Sequence, residues 1–85
     1  MWYVYILECN DLTLYTGITN NLEKRIETHN TKKGAKYTKS RTPVKLVYSA
    51  EVENKSLASK EEWRIKQLTR NQKILLIKDT YNHLL

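Results

Sequence analysis

The sequence of 85 residues holds one cysteine, one proline and two glycines, and it has no phenylalanine. A lone cysteine, Cys9, excludes an internal disulfide and suits the reducing cytoplasm. No apolar run is long enough to span a bilayer. The opening "MWYVYILE" lacks the basic region of a secretion signal and contains an acid. We therefore expect a cytoplasmic protein that does not contact a membrane.

The chain also lacks repeats, low-complexity tracts and linker-like segments. Its length predicts one domain, residues 1–85, because there is no room for a second core. What it has in excess is positive charge, since 15 Lys and Arg residues against 9 Asp and Glu residues give a net charge of +6. This excess indicates a polyanionic partner, and nucleic acid before any other. The alternative is a basic protein with no such partner.

Two alternating segments near the N-terminus predict a β-hairpin. Residues 2–8 alternate with the period of a strand, and residues 12–18 form the second strand after an Asn-Asp turn. Tyr5 and Tyr15 can lie opposite each other only if the loop has an odd number of residues, such as Cys9-Asn10-Asp11. A two-residue loop would place Tyr15 on the other face of the sheet.

Helical signals follow the hairpin. Asn20 is the predicted N-cap of a helix in "NNLEKRIETHN", and Ser56 that of a helix running to about Thr69. A loop with room for one helical turn is predicted for the cation-rich "TKKGAKYTKSRTP". Residues 44–52 are predicted to form a third strand. An amphipathic helix is predicted for the tail "RNQKILLIKDTYNHLL". The order β-β-α-β-α-α predicts an α/β protein of the α+β type, with a small three-stranded antiparallel sheet flanked by helices.

The order and spacing of a few residues resemble the GIY-YIG nuclease superfamily. Val4-Tyr5 precedes Tyr15-Thr16-Gly17, Arg25 follows, and an acid lies on a later helix. The segments "YTGITNNLEKRIETHN", "KKGAKYTKSRTPVKLVY" and "EEWRIKQLTR" are similar to the small stand-alone bacterial members, most of them uncharacterised. There are two departures: Tyr3 replaces the first glycine of the motif name, and Ile18 replaces a lysine of DNA-repair relatives. The second leaves open how a tyrosine would be activated.

This resemblance implies a metal-assisted endonuclease that cleaves DNA, or alternatively RNA, with Mg²⁺ or Mn²⁺. It implies catalytic roles for Tyr5, Tyr15, Arg25 and His29, and a metal-binding role for Glu62. The residue types suit this chemistry, because a phenolate accepts a proton from water, a guanidinium grips phosphate oxygens, and one carboxylate with waters holds Mg²⁺. We expect the functional groups of Tyr5, Tyr15, Arg25 and Glu62 to converge on one cleft about 10 Å across.

The choice of the acid is open between two neighbours. A helical wheel places Glu61 near the centre of the apolar stripe of its helix and Glu62 about a quarter-turn away. The resemblance selects Glu62 through the pattern E-x-x-I-K, which ends at Ile65-Lys66. Glu61 remains the alternative, and a third interpretation is that both acids are solvated and paired with lysines.

The other site residues also have purely structural interpretations. The two tyrosines could be ordinary strand aromatics, and Arg25 a solvated helix residue. His29 could be a histidine at the edge of the core. Gly17 could be required only by the backbone where a strand meets a turn. Only the joint pattern favours a nuclease site.

A cluster of cations around a tyrosine predicts the nucleic-acid-binding surface. Lysines and arginine would contact phosphates, and the tyrosine would stack on a base. The predicted residues are Lys32, Lys33, Lys36, Tyr37, Lys39 and Arg41. A solvated basic loop is the alternative.

Two other classes of function compete with the enzyme. One is a non-catalytic nucleic-acid-binding module of the same fold, which would keep the cations but needs no carboxylate near the tyrosines. The other is a protein-interaction domain that uses Trp63 and the C-terminal helix. A catalytic domain of this size has few means of choosing a site, so a protein partner that supplies specificity, or a structured substrate, is expected.

Overall fold

The computed structural model describes residues 1–31 and 36–83, without the side chains of residues 36–37 and 80–83. Its sheet consists of β1 (Trp2–Glu8), β2 (Leu14–Thr19) and β3 (Lys45–Val52). Both neighbouring pairs are antiparallel and the strand order is β2-β1-β3. The predicted three-stranded antiparallel sheet is therefore confirmed, with β2 starting two residues later than the sequence predicted.

Four helices accompany the sheet in the described part of the chain. They are α1 (Leu22–Asn30), α2 (Lys36–Lys39), α3 (Lys55–Lys66) and α4 (Arg70–His83). The predicted order β-β-α-β-α-α is confirmed, and α2 is the single helical turn in the cation-rich loop. None of the helices in the described ranges combines the length and the apolar character that crossing a membrane requires.

The N-caps of two helices differ from the prediction. Asn21 caps α1, and its side-chain oxygen accepts a hydrogen bond from the backbone N–H of Lys24 at 3.2 Å. Asn54 caps α3 in the same way, accepting from Leu57 N at 2.9 Å. The predicted caps Asn20 and Ser56 are therefore wrong. An N-cap must have an extended backbone just before the first turn, and adjacent polar residues leave that position ambiguous in the sequence.

The hairpin loop comprises five residues, 9–13, because the last β1–β2 pair is Glu8 with Leu14. The odd number puts Tyr5 and Tyr15 on the same face, but not opposite each other. Tyr5 faces Gly17 across the strands, and Tyr15 faces Leu7. The loop is longer than Cys9-Asn10-Asp11 because Asp11 Oδ1 accepts from the backbone N–H of Thr13, which draws Thr13 into the turn.

The sheet lies between two layers of helices. On one face, the buried side chains of Tyr5 and Leu7 pack with Leu22 and Ile26 of α1. On the other face, Val4 and Ile6 pack with Ile65 of α3, and side chains of α4 complete that cluster. The alternation of β1 thus sends Tyr5 and Leu7 toward α1, and Val4 and Ile6 toward α3 and α4.

Candidate functional site

The floor of the candidate site is the ring of Tyr5 lying across Gly17. Tyr5 is only 1% exposed. A Cβ atom added to Gly17 would approach the Tyr5 hydroxyl oxygen to 2.6 Å and its Cζ to 2.7 Å, closer than real Cβ contacts. The φ angle of Gly17 is not positive. This glycine is therefore needed for close approach of an aromatic ring within a strand, and not for a turn.

The Tyr5 hydroxyl joins two residues of α1. It hydrogen-bonds His29 Nε2 at 3.1 Å, and Arg25 Nε donates to it at 3.4 Å. Arg25 and His29 are four residues apart on α1, so they project from the same side of the helix. The hairpin supplies the phenol, and the helix supplies the guanidinium and the imidazole. Three of the predicted site residues therefore lie in one cluster.

Tyr15 completes this group from β2. Its ring centroid lies 6.4 Å from that of Tyr5 and 5.3 Å from that of His29. A further interaction joins it to Arg25, whose pKa is raised first by the hydrogen bond to Tyr5 and also by Tyr15. Tyr15 is partly exposed, whereas Tyr5 and His29 are buried. Of the two phenols, Tyr15 is therefore the one that solvent and substrate can reach.

His29 is completely buried, with both ring nitrogens paired. Nδ1 lies 2.7 Å from Oγ1 of Thr38, a fully buried residue of α2. Burial, and then the positive charge of Arg25, lowers the pKa of His29 to about 4. The imidazole is therefore neutral near pH 7, with one nitrogen donating and the other accepting.

The phenol of Tyr5 is held in its neutral form. Burial raises its pKa above the ordinary value, and the hydrogen bond from Arg25 opposes this rise. The charges of Tyr15 and Glu62 add to the rise. Tyr5 is consequently a poor proton acceptor at neutral pH, and its hydroxyl serves to hold Arg25 and His29.

The two adjacent acids of α3 project toward different partners. Glu61 accepts two hydrogen bonds from Arg64 Nε, at 2.7 and 3.0 Å. Burial raises the pKa of Tyr48, and the negative charge of Glu61 adds to this rise. Glu62 instead acts on Tyr5, although Ile65 seats α3 on the opposite face of the sheet. The Glu62 carboxylate is also paired with Lys66 Nζ at 3.3 Å.

Glu62 differs from the other predicted residues in its position. Tyr5, Tyr15, Arg25 and His29 lie together in the layer between the sheet and α1, whereas Glu62 belongs to the layer of α3. α3 packs over β1 and β2, and β2 is an edge strand of the sheet. The electrostatic effect of Glu62 on Tyr5 is what links this carboxylate to the cluster.

The donor set limits the kind of metal that could bind. Within the described ranges, no three His, Cys, Asp or Glu side chains are grouped as ligands. A single carboxylate fits Mg²⁺ or Mn²⁺, because Mg²⁺ usually keeps several waters and is held by one or two carboxylates together with substrate phosphates.

The predicted nucleic-acid-binding residues are only partly covered by the structure. Lys32 and Lys33, and the side chains of Lys36 and Tyr37, lie outside the described residues. Lys39 is exposed on α2. Arg41 is half-buried, and its Nε pairs with Asp11 Oδ2 of the hairpin loop at 2.9 Å.

The sequence analysis assigned no role to Thr38, and for Gly17 it considered a strand-to-turn junction but not close approach of an aromatic ring. No sequence signal marks Thr38, because a threonine in a basic loop is normally solvated. Gly17 could have been recognised from its strand pattern, because an isolated glycine inside a strand often marks a close approach.

The buried His29 makes the fold sensitive to mild acid. Between pH 6.5 and 4 the unfolded imidazole takes up a proton that the folded one excludes, so stability rises with pH across this window and falls on acidification. We expect a loss of at most about 3 kcal/mol in the free energy of unfolding between pH 6.5 and 4. Urea unfolding at several pH values measures it.

His29→Gln is the matched control for this pH dependence, because the amide keeps hydrogen-bonding capacity but does not titrate. Asp11 and Glu61, whose pKa values are held below their usual range by their hydrogen bonds to Thr13 and Arg64, lose stabilising charge only at lower pH. An equal acid dependence in the wild type and in His29→Gln would contradict the assignment to His29.

Comparisons with known proteins agree with this geometry. Residues 1–75 match the family model of the GIY-YIG catalytic domain. The chain is 64% identical over 77 residues to the UPF0213 protein CPE1444 of Clostridium perfringens. The aligned region covers 91% of this chain and 83% of that protein.

Two solution NMR structures share the fold. The UPF0213 protein BH0048 of Bacillus halodurans is 43% identical, with a TM-score of 0.59 over 92% of this chain and 84% of that one. The protein EF2693 of E. faecalis is 38% identical, with a TM-score of 0.62 over 93% of this chain and 84% of that one. The chain therefore belongs to the GIY-YIG catalytic domain family.

Proposed function

We propose that the protein is an endonuclease that hydrolyses phosphodiester bonds in DNA, with Mg²⁺ or Mn²⁺ as cofactor, and that it acts in the cytoplasm. GIY-YIG domains are generally endonucleases, act on nucleic acid and typically use divalent metals. The observation that carries the proposal is the cluster in which Arg25 and Tyr15 stand beside the buried Tyr5–His29 pair.

Arg25 is the residue that binds the phosphate in this proposal. The hydrogen bond from its Nε to Tyr5 fixes one edge of the guanidinium. Its other N–H groups can donate to phosphate oxygens, and they would stabilise the charge that develops on those oxygens in the transition state. The raised pKa of Arg25 keeps it cationic at every working pH.

Tyr15 is the proton acceptor in this proposal. It is partly exposed and lies beside Arg25, with which it interacts. As phenolate it would take a proton from the water that attacks phosphorus. Tyr5 and His29 are too deeply buried to touch that water. They act as positioning residues, which hold Arg25 against Tyr15.

Glu62 would hold the metal. Mg²⁺ held there would supply charge neutralisation at the phosphate and at the leaving oxygen. Glu62 suits this role because it is only partly buried and its charge reaches Tyr5, whereas Glu61 is held by both carboxylate oxygens to Arg64.

The direct test is cleavage of supercoiled plasmid, single strands and structured duplexes with Mg²⁺, Mn²⁺ or EDTA. We expect cleavage that requires the metal. A wild type that binds nucleic acid but never cuts it, with any of these metals and substrates, would favour the non-catalytic binding module.

Binding should depend on salt through the basic surface around α2. If the cations contact phosphates, log affinity should fall with log salt at a slope of about −0.7 to −0.9 for each contact. Lys39 is exposed on α2, so Lys39→Glu should weaken binding to all sequences alike and reduce this slope. Fluorescence anisotropy over a salt series measures both quantities.

Lys78→Glu is the control for this experiment, because it changes the net charge equally but lies exposed on α4, behind the opposite face of the sheet. Equal effects of the two reversals would place the binding surface elsewhere. An affinity that does not change with salt would remove nucleic acid as the partner.

A further inference from the structure

A continuous line of hydrogen bonds runs from α2 to the phosphate-binding arginine. Thr38 Oγ1 meets His29 Nδ1 at 2.7 Å, His29 Nε2 meets the Tyr5 hydroxyl at 3.1 Å, and that hydroxyl accepts from Arg25 Nε at 3.4 Å. Thr38, His29 and Tyr5 are each at most 1% exposed. Water therefore cannot replace any of these partners without a change in the packing.

The hydrogen-bonding capacities of Arg25 and Thr38, at the two ends of this line, determine which atom carries the proton in each hydrogen bond. Arg25 can only donate, so the Tyr5 oxygen must accept from it. Of the two groups bonded to this hydroxyl in the described residues, only His29 can then accept the phenol proton, and it does so at Nε2. The single proton of the neutral imidazole must therefore lie on Nδ1, where Thr38 Oγ1 is the acceptor.

We propose that Thr38 is a positioning residue that holds His29 in the Nδ1–H tautomer and thereby orients Arg25 through Tyr5. In this tautomer the phenol proton points at Nε2 and the oxygen lone pairs of Tyr5 point at Arg25. In the other tautomer, Nε2–H and Arg25 would both donate to the Tyr5 oxygen, and neither group could accept the phenol proton. The function of Thr38 in cleavage rests on the nuclease activity proposed above, whereas its control of the tautomer does not.

The position of Thr38 is itself fixed by the surrounding loop. Arg41 N donates to Thr38 O at 3.0 Å, and Asn10 N donates to Arg41 O at 2.8 Å, which ties α2 to the hairpin loop. Asn30 at the end of α1 bonds both the N–H and the C=O of Val44. The segment that carries the predicted DNA-binding cations is thus connected to Arg25 through the Thr38 hydroxyl, His29 and the Tyr5 hydroxyl.

The test is ¹⁵N NMR of the imidazole nitrogens, which separates protonated from bare nitrogens without any substrate. His83→Gln removes the signals of the second histidine. In the wild type we expect Nδ1 to be protonated and Nε2 to be bare. Thr38→Val keeps the side-chain shape but removes the acceptor, so the tautomer ratio should shift about five- to tenfold toward Nε2–H. Thr38→Ser should keep the wild-type ratio.

Cleavage kinetics provide the second readout. Thr38→Val should lower kcat about ten- to a hundredfold, the range typical of residues that orient a functional group through another, with KM nearly unchanged. Thr38→Ser should restore most of the rate. A purely structural role would instead lower stability and activity together, without a change of tautomer.

Three results would overturn the proposal: an Nε2–H tautomer in the wild type, an unchanged tautomer in Thr38→Val, or a serine variant with the valine tautomer. If Thr38→Val does not fold, the wild-type tautomer and the serine variant still decide. If the wild type does not cleave any substrate, the proposed function fails, while the nitrogen signals still test the role of Thr38.

Discussion

Glu62→Gln should abolish metal-dependent cleavage and leave nucleic-acid binding nearly intact. The amide keeps the size of the side chain but removes the charge that a hydrated Mg²⁺ requires, so we expect a loss of about a hundredfold or more in the rate. Binding should persist or tighten slightly, because one negative charge has left a surface that attracts a polyanion. Cleavage and anisotropy assays on the same preparation measure both effects.

Glu61→Gln is a closely matched control, one residue away on the same helix. Each substitution removes one surface ion pair, Glu61 with Arg64 or Glu62 with Lys66, and such pairs contribute only about 0–1 kcal/mol to stability. We expect Glu61→Gln to cut at nearly the wild-type rate. The reverse outcome would move the metal site to Glu61, and full activity in both variants would remove the carboxylate from the mechanism.

Tyr15→Phe should lose cleavage while the domain stays folded. The ring remains against Tyr5 and His29, but the hydroxyl that we propose accepts a proton from water is gone. A positioned general base typically contributes about 10²- to 10⁴-fold to the rate, and we expect a loss in this range. Cleavage rates of the two proteins, with circular dichroism to check that the variant is folded, measure this loss.

Two other tyrosines serve as comparisons for Tyr15→Phe. Tyr48→Phe alters a partly buried phenol of β3 that packs on the other face of the sheet, so it should retain activity. Tyr5→Phe leaves Arg25 and His29 without their shared partner, so it should lower both the rate and the stability, the latter by about 1–3 kcal/mol. Wild-type activity in Tyr15→Phe would rule out Tyr15 as the base.

The sequence by itself determined the fold class and the family. Alternation in residues 2–8, a turn, and helical periodicity after residue 20 are local patterns, and they are sufficient to predict an antiparallel hairpin followed by helices. The order of Tyr5, Tyr15, Gly17 and Arg25 was specific enough to indicate the GIY-YIG family, which the family model matches over residues 1–75. The strand and helix patterns can be recognised in the sequence because each depends only on neighbours within one element, and the family pattern because it is a fixed order of residues along the chain.

Only the tertiary structure decided which groups meet and which of them remain accessible. The five-residue loop set the register that places Tyr5 over Gly17, and one fewer residue would have sent Tyr15 to the other face. Burial separated the two tyrosines into a hidden phenol and an accessible one. No local pattern contains this information, because it depends on how α1 packs on the sheet.

The packing of the helices also explains why the sequence alone did not show the partners of Thr38, Glu61 and Glu62. Thr38 meets His29 only because α2 folds back onto α1, nine residues along the chain. Glu61 and Glu62 are neighbours in sequence, yet one acts on Tyr48 and the other on Tyr5, since successive residues of a helix project about 100° apart. The sequence specified which chemical groups are present, whereas the packing of α1, α2 and α3 on the sheet decided their partners.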